Sequence, residues 1–261
     1  MHSHHAQALS NVVAHFEKRP EVLAVLLTGS IAHGFARANS DIDIAIVVDE
    51  ADFKRRQSTR ELTFYDPGLC SYPDGYVDGK YMDLGFIRDV ARRGSEPARF
   101  AFKDAKVLFS KVDGLEPLLL EAASYPHEQR EARLLRFQAQ FEVWYWYVQQ
   151  AFQTQDRYLL QFATSKLVLF GCRQILAHNG MLFPYHKWLM RVVGQAPARP
   201  EHFEQLTDAV LQSPTPESAS QFFEAVNACV PRVASEHHWS THFMLDSELS
   251  WMSGQVPVDD L

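Results

Sequence analysis

The chain reads as an α+β protein in two parts. A mixed β-sheet flanked by helices fits residues 1–125, and a helical bundle fits residues 126–261. Three observations predict this. Short apolar runs of strand length all fall before Tyr125-Pro126. From Glu128 onward, apolar residues recur only at helical spacing. Between two of the apolar runs lies the stretch Leu26 to Val48, where the first run stops at Gly29-Ser30 and the next opens with Asp41-Ile42-Asp43.

Taken in order, Ala6 to Lys18 carries Leu9, Val12, Val13 and Phe16 at one helical face and ends at Arg19-Pro20. Val22 to Leu27 is a strand, and a short helical segment follows the Gly29-Ser30 turn. Asp41 opens a second strand, and Asp49 to Arg56 is a charged surface helix or turn. Glu61 to Tyr65 is a further strand, and Asp66 to Gly79, rich in Pro, Gly, Asp and Tyr, is an exposed loop. Lys80 to Ile87 reads as a strand holding Asp83 among apolar neighbours, Asp89 to Phe102 as helical apart from Gly94 and Pro97, Ala105 to Ser110 as a short strand and Leu115 to Ala123 as a helix.

The second part opens with Glu128 to Phe152, whose Leu134, Phe137, Phe141, Trp144, Tyr145 and Val148 form a helical stripe. Gln161 to His178 is a second long helix ended by Asn179-Gly180. Shorter helices are expected over Glu201–Leu211, Glu217–Cys229 and Glu236–Leu249, and a loose acidic tail over Val256–Leu261.

Composition excludes several classes. An apolar fraction of 46% is that of a globular chain rather than a disordered one. A formal net charge of −7 argues against general nucleic-acid binding, which needs a basic face to displace counterions. Charged residues interrupt every apolar run before it reaches membrane-spanning length. Met1-His2-Ser3-His4-His5 lacks a leader layout, and Cys70, Cys172 and Cys229 are few and odd in number, so a cytoplasmic protein with reduced thiols is expected. The opening histidines are set aside as a metal-binding tract without a functional role.

The chemistry concentrates in Leu26–Val48. Asp41 and Asp43, at i and i+2 of a strand, point to one face. Two adjacent carboxylates repel unless a cation lies between them, and oxygen-only ligands at this spacing suit Mg²⁺ completed by phosphate oxygens. Gly29 permits close backbone approach to a phosphate, and Ser30 adds a hydroxyl donor. Asp83 is the expected third acid of a two-metal phosphoryl-transfer site, and Asp78, five residues earlier, competes for that role.

Gly29-Ser30, ten intervening residues, Asp41-x-Asp43 and a later strand aspartate resemble the DNA polymerase beta superfamily of nucleotidyltransferases, and more narrowly the small bacterial aminoglycoside and lincosamide enzymes. The resemblance covers about residues 22–110 and implies a helical domain beside the catalytic one. It implies that Asp41 and Asp43 hold two Mg²⁺ on a triphosphate, most simply ATP, while Gly29 and Ser30 contact its β,γ-phosphates. Asp83 would help bind metal and activate an acceptor hydroxyl. The nucleoside monophosphate would pass to a small hydroxylated acceptor such as an aminoglycoside-like antibiotic, with pyrophosphate released. Lys187, between aromatics in Phe183–Trp188, is the expected triphosphate contact from the helical part, and Glu142 a competing general base. Lys166 and Arg173 could add positive charge, and the aromatic group Phe141, Trp144, Tyr145, Trp146 and Tyr147 could stack on a base or acceptor. His238 and His242, four apart, lack the further ligands of a zinc site. Alternative readings are an enzyme that modifies a protein hydroxyl of a partner toxin, a ribonuclease built on Arg173 and His178, and a catalytically dead nucleotide-binding regulator.

Overall fold

The structure, a computed structural model, describes residues 1–254. The expected tail over Val256–Leu261 lies outside the described residues. The chain forms two compact units, Met1–Tyr125 and Pro126–Leu261.

The first unit is built from α1 (Ser3–Phe16), β1 (Val22–Leu27), α2 (Gly29–Ala32), β2 (Ile42–Val48), α3 (Glu50–Thr59), β3 (Thr63–Asp66), β4 (Val77–Met82), α4 (Leu84–Arg93), α5 (Glu96–Phe100), β5 (Lys106–Ser110) and α6 (Leu115–Ala122). Its strands form one mixed sheet in the order β3-β4-β2-β1-β5. β1 is antiparallel to β2 and β5, β3 is antiparallel to β4, and β2 and β4 run parallel.

Strand alternation decides which side chains reach the site. Ile42, Ile44, Ile46 and Val48 of β2 point to the face covered by α1, where they meet Leu9, Val12 and Phe16. Ala45 and Val47 point to the opposite face, onto Ile87 and Val90 of α4 and Leu115 and Leu119 of α6. Burying each large aliphatic side chain contributes about 1.5–3 kcal/mol. A one-residue slip would turn the whole isoleucine row to the wrong face, so the register is strongly specified. With that register, Asp43 and Asp41 lie on the α4–α6 side at the open end of the strand.

One expectation is corrected here. The strand expected at Lys80–Ile87 begins three residues earlier, as β4, and stops at Met82; Leu84 to Arg93 is helical. Asp83 is therefore the N-cap of α4, its Oδ1 accepting the Phe86 N–H at 2.7 Å. Gly79 made Val77–Gly79 resemble loop. It pairs within the strand, and a Cβ there would come within 3.0–3.1 Å of the Ile44, Ile46 and Phe64 side chains, so the packing favours glycine at this position. The helical stretch over Asp89–Phe102 is interrupted at Gly94, as expected, and restarts at the Ser95 cap with Pro97 in the first turn of α5.

The second unit is helical: α7 (Arg130–Thr154), α8 (Arg157–His178), α9 (Leu189–Val193), α10 (Phe203–Gln212), α11 (Pro216–Cys229) and α12 (Trp239–Asp246). A two-residue connection turns α7 back onto α8, whose N-cap Asp156 accepts the Leu159 N–H at 3.0 Å. Gly171 of α8 lets Phe222 of α11 and Phe141 of α7 approach its backbone, since a Cβ would lie 2.7 Å from Phe222. The helix expected at Glu236–Leu249 is shorter, confined to α12. No helix among the described residues is long and apolar enough to cross a membrane.

Candidate active site

The site is assembled where β1 ends and β2 and β4 begin, on the α4–α6 side of the sheet. Thr28 leaves β1 with its N–H donating to the Asp43 carbonyl at 2.9 Å, so the Gly29-Ser30 turn is fastened beside the acids. Gly29 adopts φ +62°, in the left-handed region where a side chain is strained. A Cβ on Gly29 would also overlap the Asp43 carboxylate. The glycine is required by contact as well as by conformation. Ser30 is buried, and its hydroxyl has no hydrogen-bond partner among the described residues.

Asp43 and Asp78 are register partners across the parallel β2–β4 pair. Both are partly exposed, and both line a cavity of about 180 Å³ with Thr28, Gly29, His33 and Lys80. Asp41, two residues before Asp43, shares its face; the Asp41 carboxylate also raises the pKa of the neighbouring Tyr76 phenol. Asp83 is not brought to this group. Its neighbour Met82 pairs with Val47, four residues along β2 from Asp43, or about 13 Å at the rise of a strand. Its side chain is engaged in capping. The β4 carboxylate paired with Asp43 is Asp78.

His33 and Lys80 are the cavity residues that the sequence reading missed. His33 ends the α2 turn with its Nδ1 3.2 Å from Asp104 Oδ2 and its ring 4.6 Å from that of Phe100. Burial lowers its pKa below the usual histidine value, while Asp104 opposes that shift. Lys80 follows Asp78 on the same face and supplies positive charge to the cavity wall. Period-two alternation through Tyr76, Asp78, Lys80 and Met82 is the signal that would have found it.

Among the described residues, no three His, Cys, Asp or Glu side chains already converge as a metal cage. The donor set still fits Mg²⁺, which takes one or two carboxylates from protein and completes its shell with phosphate oxygens and water. The unpaired Ser30 hydroxyl and the side-chain-free surface of Gly29 fit a phosphate group beside that ion.

The residues singled out in the helical unit have local partners. Glu142 is ion-paired with Arg232. Arg173 is held between the rings of Phe137 and Phe183, each 4.3 Å from its guanidinium carbon. His178 is five residues on, which turns it about 140° away around the helix. Lys166 lies over Phe162 and Trp144, and Lys187 sits in a 3₁₀ turn over Trp188 at 5.2 Å. The Phe141 and Tyr145 rings stack on Phe223 as packing between α7 and α11, and the Trp146 ring is exposed. His238 caps α12, and His242 pairs with Ser235. His5 is buried in α1, packed against His4 and Tyr72, so the opening histidines belong to the fold.

A family model described as Polymerase beta, Nucleotidyltransferase matches residues 10–67, which span α1, the Gly29-Ser30 turn and the Asp41-x-Asp43 strand. No curated protein matches the chain. A solved structure described as a nucleotidyltransferase-like protein from Exiguobacterium sibiricum 255-15 is similar at 10% identity and a TM-score of 0.47, over 98% of this chain and 83% of that one. The family match falls on the residues that build the turn and the acid pair, and over residues 10–67 the chain is similar to the nucleotidyltransferase domain of the polymerase beta family.

Proposed function

We propose that the enzyme is a Mg²⁺-dependent nucleotidyltransferase that moves a nucleoside monophosphate, most simply AMP from ATP, onto a hydroxyl of a small acceptor. The observation that carries this reading is the register pairing of Asp43 with Asp78 beside the Gly29 turn. Asp41, Asp43 and Asp78 would hold Mg²⁺ together with the triphosphate. The bound ion supplies neutralising charge to the triphosphate and to the departing pyrophosphate.

The chain's own groups do the rest. The first-turn N–H groups of α2 lack intrahelical acceptors and receive phosphate oxygens, with the Ser30 hydroxyl as a further donor. Lys80 balances part of the negative charge. Asp78 accepts the proton of the acceptor hydroxyl as the oxygen attacks the α-phosphorus and pyrophosphate leaves. Catalysis then comes mostly from positioning and electrostatics.

The test is incubation with ATP, Mg²⁺ and a panel of hydroxylated acceptors, with adduct mass and pyrophosphate release as readouts. Wild type should yield an acceptor adduct one nucleotidyl group heavier, and Asp78→Asn should not. Equal turnover by Asp78→Asn would remove the reading.

A further inference from the structure

His33 belongs to the turn proposed to seat the phosphates. It lies four residues past Gly29, and its backbone N–H donates to the Gly29 carbonyl at 3.1 Å. Its side chain is only 4% exposed, yet it lines the cavity together with Gly29, Asp43, Asp78 and Lys80. Two aromatic rings hold it there, that of Phe100 with its centroid 4.6 Å away and that of Phe35 at 5.6 Å.

A carboxylate orients the imidazole. Nδ1 lies 3.2 Å from Asp104 Oδ2, so Nδ1 carries a proton toward Asp104 and Nε2 is the ring nitrogen left to serve the cavity. Asp104 takes this place at φ +62°, a left-handed backbone that aspartate tolerates better than most side chains. Its own side chain is half exposed, so water reaches the pair from outside the cavity. A buried imidazole with one nitrogen on a carboxylate and the other available to a cavity is the arrangement of a general acid–base group.

The charges around the ring decide when it is protonated. In the free protein burial lowers its pKa, Asp104 opposes that shift, and Lys103 adds to the lowering. Across the cavity Asp43 and Asp78 favour the cation and Lys80 disfavours it. Phosphates bound at the turn add negative charge on the Nε2 side and favour the imidazolium.

We propose that His33 is the general acid of the transfer, giving its Nε2 proton to the departing pyrophosphate, with Asp104 as its positioning residue. The bond from the α-phosphorus to the bridging oxygen breaks, and that oxygen keeps the electron pair and takes the Nε2 proton. The acceptor oxygen bonds the α-phosphorus, and its proton passes to Asp78. Solvent then returns a proton to His33 and removes one from Asp78. This inference rests on the nucleotidyltransferase reading.

The experiment measures Mg²⁺-pyrophosphate binding to the full chain by calorimetry at about pH 6 and about pH 8, in wild type, His33→Gln and Asp104→Asn. Long-range proton–nitrogen NMR of the His33 ring reads its protonation with and without the ligand. A group that protonates pyrophosphate as it leaves is also protonated when pyrophosphate binds, so affinity and ring protonation are linked. The ratio of affinity at the lower pH to that at the higher should be about tenfold larger in wild type than in His33→Gln. Comparing the two ratios cancels the titration of pyrophosphate itself. In the wild-type complex both ring nitrogens should carry protons near neutral pH. Asp104→Asn, which keeps a residue suited to the left-handed backbone, should move the ring's titration in the complex to lower pH. Equal ratios in wild type and His33→Gln, an unprotonated Nε2 in the complex, or failure of pyrophosphate to bind where a non-hydrolysable ATP analogue does, overturns the proposal. Failure of the underlying reading shows separately, as absence of Mg²⁺-dependent binding of the ATP analogue.

Discussion

The backbone of Gly29 lies against the carboxylate of Asp43, leaving no room for a methyl group between the Gly29-Ser30 turn and the first acid of β2. Gly29→Ala should therefore act on the site and the backbone together. The left-handed φ alone costs about 1–2 kcal/mol of stability. Displacement of Asp43 should reduce nucleotide transfer by about a hundredfold or more. Thermal unfolding and pyrophosphate release measured on the same variant check both halves. A variant that keeps full activity would show that the turn and the acid are not coupled.

Asp78 and Asp83 should separate function from stability. Asp78→Asn removes a carboxylate facing Asp43, so transfer should fall by about a hundredfold or more while the melting temperature barely changes. Asp83→Ala removes the α4 cap and should cost about 0.5–2 kcal/mol in urea unfolding, with its activity loss explained by the unfolded fraction. The opposite pattern would return the third-acid role to Asp83.

Stability should fall on the acid side of neutrality. His5 is fully buried and His33 nearly so, and burial, the largest influence on each, lowers both pKa values below the ordinary 6.5. The unfolded chain then binds protons at these positions before the folded one does. Their contribution to stability is present above the unfolded value and is lost as pH falls through 6.5 toward the folded values. His5 faces His2, His4 and Tyr72, and the first two lower its pKa further. His5→Leu should flatten the slope of melting temperature against pH between about pH 7 and pH 5. An unchanged slope would mean His5 does not titrate with folding.

In the helical unit, Gly171→Val should be felt as overpacking, because Phe222 and Phe141 already occupy the space a side chain needs. The expected loss is about 1–3 kcal/mol in denaturant unfolding. A neutral result would show that α11 can shift away without cost.

The acid pair and the turn were legible because their signal is local. A glycine with no tolerance for a side chain, followed at fixed distance by two acids of matching strand parity, is written in consecutive residues. Which carboxylate lies beside Asp43 was not, because that depends on which residues of β4 pair with β2. Gly79 weakened the strand signal at Asp78, while Met82-Asp83-Leu84 imitated a strand interior where the chain starts a helix with an aspartate cap. His33 and Lys80 escaped for a related reason. Each reaches the cavity through the packing of elements distant in sequence, His33 through Asp104 and Phe100, Lys80 through the β2–β4 pairing. The helices of the second unit were readable from apolar periodicity, but Glu142 and Arg173 looked available because their partners Arg232, Phe137 and Phe183 come from remote segments.

The most direct test is calorimetric titration of a non-hydrolysable ATP analogue, with and without Mg²⁺, into wild type and the Asp43→Asn/Asp78→Asn double variant. Wild type should bind only with Mg²⁺ present, and the double variant should lose at least about tenfold in affinity while keeping its melting temperature. Binding that ignores Mg²⁺, or survives loss of both carboxylates, would contradict the assignment of this acid pair as the metal-dependent nucleotide site.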